Sequence, residues 1–173
     1  MANGIADHNI SVVRFNFAYM QLAQELNKRR PPEKANKLME NYLDVLKQVS
    51  DESPLFIGGK SMGGRIASMI LDESSAKGCI CMGYPFHPQK QPEKLRTEHL
   101  MTIQKPILML QGERDALGTL EEVKSYQLPK KIQTHYLKDG DHSFKPRKSS
   151  GVSHVDNLNN AITAATQFIK SHI

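Results

Sequence analysis

The stretch Leu55-Phe56-Ile57-Gly58-Gly59-Lys60-Ser61-Met62-Gly63-Gly64-Arg65 decides how the rest of the chain is read. Its apolar start predicts a short buried strand over Leu55 to Gly59, and the pattern from Met62 to Leu71 predicts a helix. Ser61 stands on the tight strand-to-helix turn between them. Such a turn lifts a hydroxyl clear of the backbone at the end of a sheet, but it crowds the residues beside the serine. Glycine at both flanking positions, Gly59 and Gly63, removes the crowding. The helix starting at Met62 aims its free N–H groups where negative charge would develop. Ser61 is therefore a candidate nucleophile, and the backbone N–H of Met62 a candidate oxyanion donor. The plainer alternative is a glycine-rich turn that only packs helix on sheet.

A serine needs a base, and the base needs an orienting acid. Gln111-Gly112-Glu113-Arg114-Asp115 follows an apolar run, Pro106 to Leu110, that reads as a buried strand. Asp115 thus falls in a loop at the carboxyl edge of a sheet. Asp139-Gly140-Asp141-His142-Ser143-Phe144 follows the next strand and brings His142 to the same edge. The chain order Ser, acid, His is that of one known triad arrangement. Glu113 is an alternative acid in the same loop. Asp139 and Asp141 read as turn-shaping residues. Of the other histidines, His8 precedes the first strand, His99 precedes the acid, His135 lies inside a strand, and His154 and His172 belong to the last helix. His87 follows a strand and is a second candidate for the pocket.

Working outward, strands and helices alternate. Ile10 to Phe17 reads as a strand, and a polar loop with Pro31-Pro32 follows. A helix is predicted from about Glu33 to Val49, with Leu38, Tyr42, Val45, Leu46 and Val49 on one stripe. Gly78 to Met82 is a strand, Pro92 to Met101 a helix, Ile107 to Gln111 a strand, Leu120 to Tyr126 a short helix, Lys131 to Leu137 a strand, and Val155 to His172 the last helix. This alternation predicts one α/β domain over residues 1–173, with a mostly parallel sheet and helices on both faces. Ligands of such sheets bind beyond the carboxyl ends of the strands.

An apolar fraction of 39% over 173 residues suits one folded core rather than disorder. No apolar run is long enough to cross a bilayer, no secretory leader is visible, and a cytoplasmic location is the default expectation. Cys79 and Cys81 alternate along a strand and share a face, so they read as buried reduced thiols rather than a bridge. No cofactor or metal is expected. The net charge of +5 invites thought of nucleic acid. Its densest cluster, Lys28-Arg29-Arg30, carries no nucleic-acid-binding fingerprint and reads as a solvated loop. Lys60 and Arg65 read as cations on the pocket rim or helix surface, with a role toward an acidic substrate as the bolder option.

Several motifs together resemble the dienelactone-hydrolase-like branch of the α/β-hydrolases. They are Val12 to Met20, Lys28 to Pro32, Gly58 to Arg65, Gln111 to Asp115 and Gly140 to Phe144. More closely, they resemble predicted bacterial hydrolases related to the testis-expressed and NSL-complex hydrolase-like proteins. The resemblance implies Ser61 as nucleophile, Asp115 as acid and His142 as base. It also implies strands before Ile10 and a His-Gly loop supplying a second oxyanion donor, neither of which this sequence contains. One such strand would lie between the Ile10–Phe17 strand and the Leu55–Gly59 strand. The expected function is hydrolysis of an ester, thioester or related acyl bond in a small molecule, without nucleic acid or membrane. A hydrolase-like binding or scaffold protein is the alternative, and RNA binding through Lys28-Arg29-Arg30 a more distant one.

Overall fold

Four strands form the frame of a computed structural model that describes residues 1–49 and 53–173. They are β1 (Phe56–Lys60), β2 (Gly78–Met82), β3 (Ile107–Gly112) and β4 (Ile132–Leu137). All pair in parallel, in the order β1-β2-β3-β4, with Gly59 opposite Cys81 and Gln111 opposite Tyr136. Among the described residues six α-helices accompany them: α1 (Ala2–Ala6), α2 (Ala18–Glu25), α3 (Ala35–Leu46), α4 (Met62–Ile70), α5 (Leu120–Ser125) and α6 (His154–Lys170).

The strand side chains alternate between two cores, as the pleat requires. Ile57, Cys79, Cys81, Ile107 and Met109 face one core, built with Leu38 and Tyr42 of α3 and Ile66, Ala67 and Ile70 of α4. Ile80, Leu108, Leu110 and Leu137 face the other, closed by Ala161, Ala165, Phe168 and Ile169 of α6. Helices thus cover both faces of a parallel sheet, the expected fold class. The two thiols are buried and free, with their sulfurs 3.7 Å apart.

Three local expectations differ from the structure. Ile10 to Phe17 is not a strand: it runs as irregular chain up to α2. A strand exists only where a neighbour takes its N–H and C=O groups, and among the described residues none lies beside this one. Its apolar side chains still anchor it. Phe15 and Phe17 pack edge-on against Tyr42, and Ile10 joins the α6 core. The second difference is α2, which occupies part of the predicted polar loop. The third is Pro92 to Met101, where only a 3₁₀ turn at Glu98–Thr102 forms. The Arg96 N–H donates to Phe86 O and the Tyr84 hydroxyl to Arg96 O, which binds this segment to the β2 exit instead of to itself.

β1 is one of the two edge strands, and its outward backbone is partly closed by a side chain. The Tyr42 hydroxyl donates to Gly58 O at 2.8 Å and accepts from Gly58 N–H at 3.0 Å. One phenol thereby stands in for the rung of a missing neighbour.

Candidate active site

Ser61 joins β1 to α4 with φ 53° and ψ −119°, a conformation that L-residues adopt at a cost. Its N–H donates to Met82 O at 2.8 Å, which ties the turn to the end of β2. The glycines around it contribute unequally. A Cβ on Gly59 would sit 2.6 Å from the Gly63 carbonyl carbon, and one on Gly64 would sit 2.6 Å from Gly59 O. A Cβ on Gly63 would meet nothing within 4 Å. The turn therefore needs Gly59 and Gly64, while the expectation that Gly63 relieves crowding is corrected. Strand and helix backbones touch along the Gly59–Gly64 line, and Gly63 lies off it. Met62 is the first helical residue, so its N–H has no acceptor within α4.

Asp115 lies in the loop after β3 and is wholly buried. Its Oδ1 accepts the Leu117 N–H at 2.9 Å, and its Oδ2 accepts the Gln111 amide at 3.0 Å and the His142 Nδ1 at 2.8 Å. A buried carboxylate needs such donors in place of the water it has lost. His142 lies in the loop after β4 and keeps 30% of its side chain exposed, so the acid is sealed while the imidazole reaches solvent.

The loops are interlocked. The Arg114 N–H donates to Gly140 O, and a Cβ on Gly112 would strike Asp141 O at 2.3 Å, so glycine lets the two loops touch. Asn157 of α6 donates its amide to Lys138 O and Phe144 O, clasping the His142 loop from both ends. Gly83, at φ +61°, follows β2 and backs the imidazole. A Cβ there would lie 3.2 Å from His142 Nδ1. The Lys60 ammonium donates to His142 O at 3.0 Å.

Ser61, Asp115 and His142 therefore gather at the carboxyl ends of β1, β3 and β4. The acid and the imidazole are directly bonded. Among the described residues no hydrogen bond joins the Ser61 hydroxyl to His142.

The rival residues have other occupations. Asp139 is bonded to Arg147, whose guanidinium holds its carboxyl down to about 2. Asp141 accepts the Ser143 and Lys145 N–H groups and shapes the turn, as its sequence context suggests. Glu113 accepts the Asp139 N–H. His87 is buried, but its Nε2 faces Glu122 of α5 at 3.5 Å rather than the Ser61 turn. Among the described residues no three His, Cys, Asp or Glu side chains gather as metal ligands would. No described helix is long and apolar enough to cross a membrane.

Sequence reasoning missed Gln111, Gly83 and Asn157. Gln111 alone left a signal: an amide closing an otherwise apolar strand must find buried partners.

The model of the alpha/beta hydrolase domain matches residues 1–170. The chain belongs to that family. Solved structures agree in fold. An alpha-beta serine hydrolase homologue from Coxiella burnetii superposes with a TM-score of 0.60 at 14% identity, covering 86% of this chain and 74% of its own. An esterase from Exiguobacterium antarcticum gives 0.60 at 12% identity, covering 79% and 74%. A Xanthomonas campestris member of the a/b serine hydrolases without lid gives 0.59 at 15% identity, covering 82% and 61%. At these identities the likeness concerns the alpha/beta hydrolase fold alone.

Proposed function

We propose that this alpha/beta hydrolase is a serine hydrolase that cleaves an ester, thioester or related acyl bond of a small molecule. The observation that carries the reading is the 2.8 Å bond from His142 to a wholly buried Asp115, at the sheet edge that also presents Ser61 in a strained turn. In this reading the Ser61 hydroxyl attacks the acyl carbon and His142 Nε2 takes its proton. The carbonyl oxygen becomes an oxyanion facing the Met62 N–H. His142 then returns the proton to the departing alcohol or thiol, leaving an acyl-serine. Water, deprotonated by His142, releases the acid and restores Ser61. Asp115 keeps the imidazole oriented and stabilises its charged form. Closure of the Ser61–His142 contact belongs to the substrate complex, since such bonds are commonly loose in free enzymes.

Kinship with the dienelactone-hydrolase-like branch, and with the bacterial hydrolases related to testis-expressed and NSL-complex hydrolase-like proteins, rests on the motifs and forms part of the proposal. So does a cytoplasmic location, which the two free buried thiols favour.

The test is labelling with a fluorophosphonate probe, locating the adduct by mass spectrometry. The label is expected on Ser61 and should disappear on heat denaturation. Ser61→Ala and His142→Ala should each lower turnover of a small ester on the order of 10⁴-fold or more, with far-UV circular dichroism preserved. Absence of label on folded protein would refute the assignment and leave a binding protein.

A further inference from the structure

Ser61, Arg65 and Ser68 are spaced four and three residues apart, which sets them on one face of α4. That face looks toward the segment after β2. The Ser68 hydroxyl donates to Arg65 O at 2.7 Å and lies 2.9 Å from His99 Nε2. Tyr84, wholly buried, donates its hydroxyl to Arg96 O at 2.8 Å, which fixes the Arg96 backbone beside the same face. Arg65 thus leaves the helix on the face that Ser68 turns toward the Arg96–His99 segment. Side chains on a helix lean toward its N-terminus, which here is the Ser61 turn. The Arg65 N–H donates to Ser61 O at 3.1 Å, so the two residues are one turn apart.

The cations in this place lack what cations elsewhere in the chain possess. Arg114 and Arg147 both bond to Asp139. Among the described residues no ion pair and no side-chain hydrogen bond engages Arg65 or Arg96. The Arg65 Nε has no access to solvent and no partner, a buried donor left open. Such a group costs free energy unless a ligand supplies the acceptor. Burial and the Arg65 charge together push His99 down to about 4, so the histidine stays neutral at working pH. Burial and the same charge also weaken the basicity of Arg96. A cation that disfavours the charged form of Arg96 and carries an orphaned N–H of its own is compensated by an oxyanion.

We infer that Arg65 and Arg96 form a subsite for a negatively charged group of the substrate, a carboxylate or a phosphate, next to the Ser61 hydroxyl. The fork of a guanidinium suits either oxyanion. As a statement about turnover, the inference rests on the hydrolase reading. As a statement about binding, it does not.

Two measurements separate these parts. The first compares mono-p-nitrophenyl adipate with p-nitrophenyl hexanoate, which differ chiefly in the terminal charge. The full chain should prefer the charged ester in kcat/KM. Arg65→Gln should lower that preference by about 10- to 100-fold, the worth of one hydrogen bond to a charged group. The second follows the thermal midpoint of the same proteins in adipate and in inorganic phosphate, with chloride balancing ionic strength. A rise in the wild type that is lost in Arg65→Gln supports the subsite, and the more effective anion identifies its ligand. Arg96→Gln repeats both measurements should Arg65→Gln fold poorly. Anion-dependent stabilisation without turnover of either ester would keep the subsite and remove the hydrolase reading. Equal ester preference in wild type and variants, with no variant-dependent anion effect, would overturn the inference.

Discussion

Gln111 sits near the end of β3 with its amide wholly buried and four backbone or side-chain partners in reach. Its oxygen accepts the Tyr84 N–H at 2.8 Å, and its NH₂ faces Asp115 Oδ2, Gly118 O and Tyr84 O between 3.0 and 3.3 Å. One side chain therefore joins the β2 exit to the acid loop and steadies the oxygen that holds His142. Gln111→Leu keeps the volume and strands several polar groups. It is expected to destabilise the fold by at least about 2 kcal/mol and to lower ester turnover more than tenfold, read from denaturant unfolding and steady-state kinetics. An unchanged unfolding midpoint would show that water satisfies these groups. At this scale the sequence was most legible for chemistry. Ser61, Asp115 and His142 each follow a strand, and strand ends can be read from local pattern. The bonds of Gln111 to Tyr84 and of Asn157 to its two carbonyls were not legible, because those partners lie 27 and 13 to 19 residues away.

The turn around Ser61 is the element on which the site depends, and its glycines can be told apart. Gly59→Ala drives a methyl group into the Gly63–Gly64 backbone. Backbone cannot move aside as a side chain can, so a loss of about 2–3 kcal/mol or more is expected. Gly63→Ala meets open space at a helical position, where alanine is favoured over glycine by up to about 1 kcal/mol. Thermal unfolding of the two variants should therefore move in opposite directions. A large loss for Gly63→Ala would mean that the turn is crowded on both sides after all. Pattern alone treated these glycines as equivalent, since GxSxG is symmetric on paper while the packing of α4 on β1 is not. The same limit explains Ile10 to Phe17. Its β-branched and aromatic residues are those of a strand, yet strand formation is a property of pairs. Helices depend less on distant partners, which is why α3, α4 and α6 fell within a few residues of their predicted spans. The short α2 escaped notice for want of a strong apolar stripe.

For the molecule as a whole, acid should act through His99. Its folded pKa of about 4 lies below the ordinary 6.5. Between those values the unfolded chain binds a proton that the folded chain refuses, so stability falls as pH is lowered from about 6.5 toward 4. Charging His99 would set a third cation beside Arg65 and Arg96. Melting temperatures measured between pH 7 and 4 should decline less steeply in His99→Gln than in the wild type. Identical slopes would remove His99 from the account. The sequence by itself determined the class of fold and the two-sided core, and it nominated the three residues of the proposed chemistry, because periodicity and the order of strand ends are local properties. Only the tertiary structure decided that β1 is an edge closed by Tyr42, that Asp115 is sealed and bonded to His142, and that the Arg65 Nε is buried without a partner. Those features depend on which surfaces meet after the strands align, and contacts between residues far apart in the chain leave no periodic trace in it.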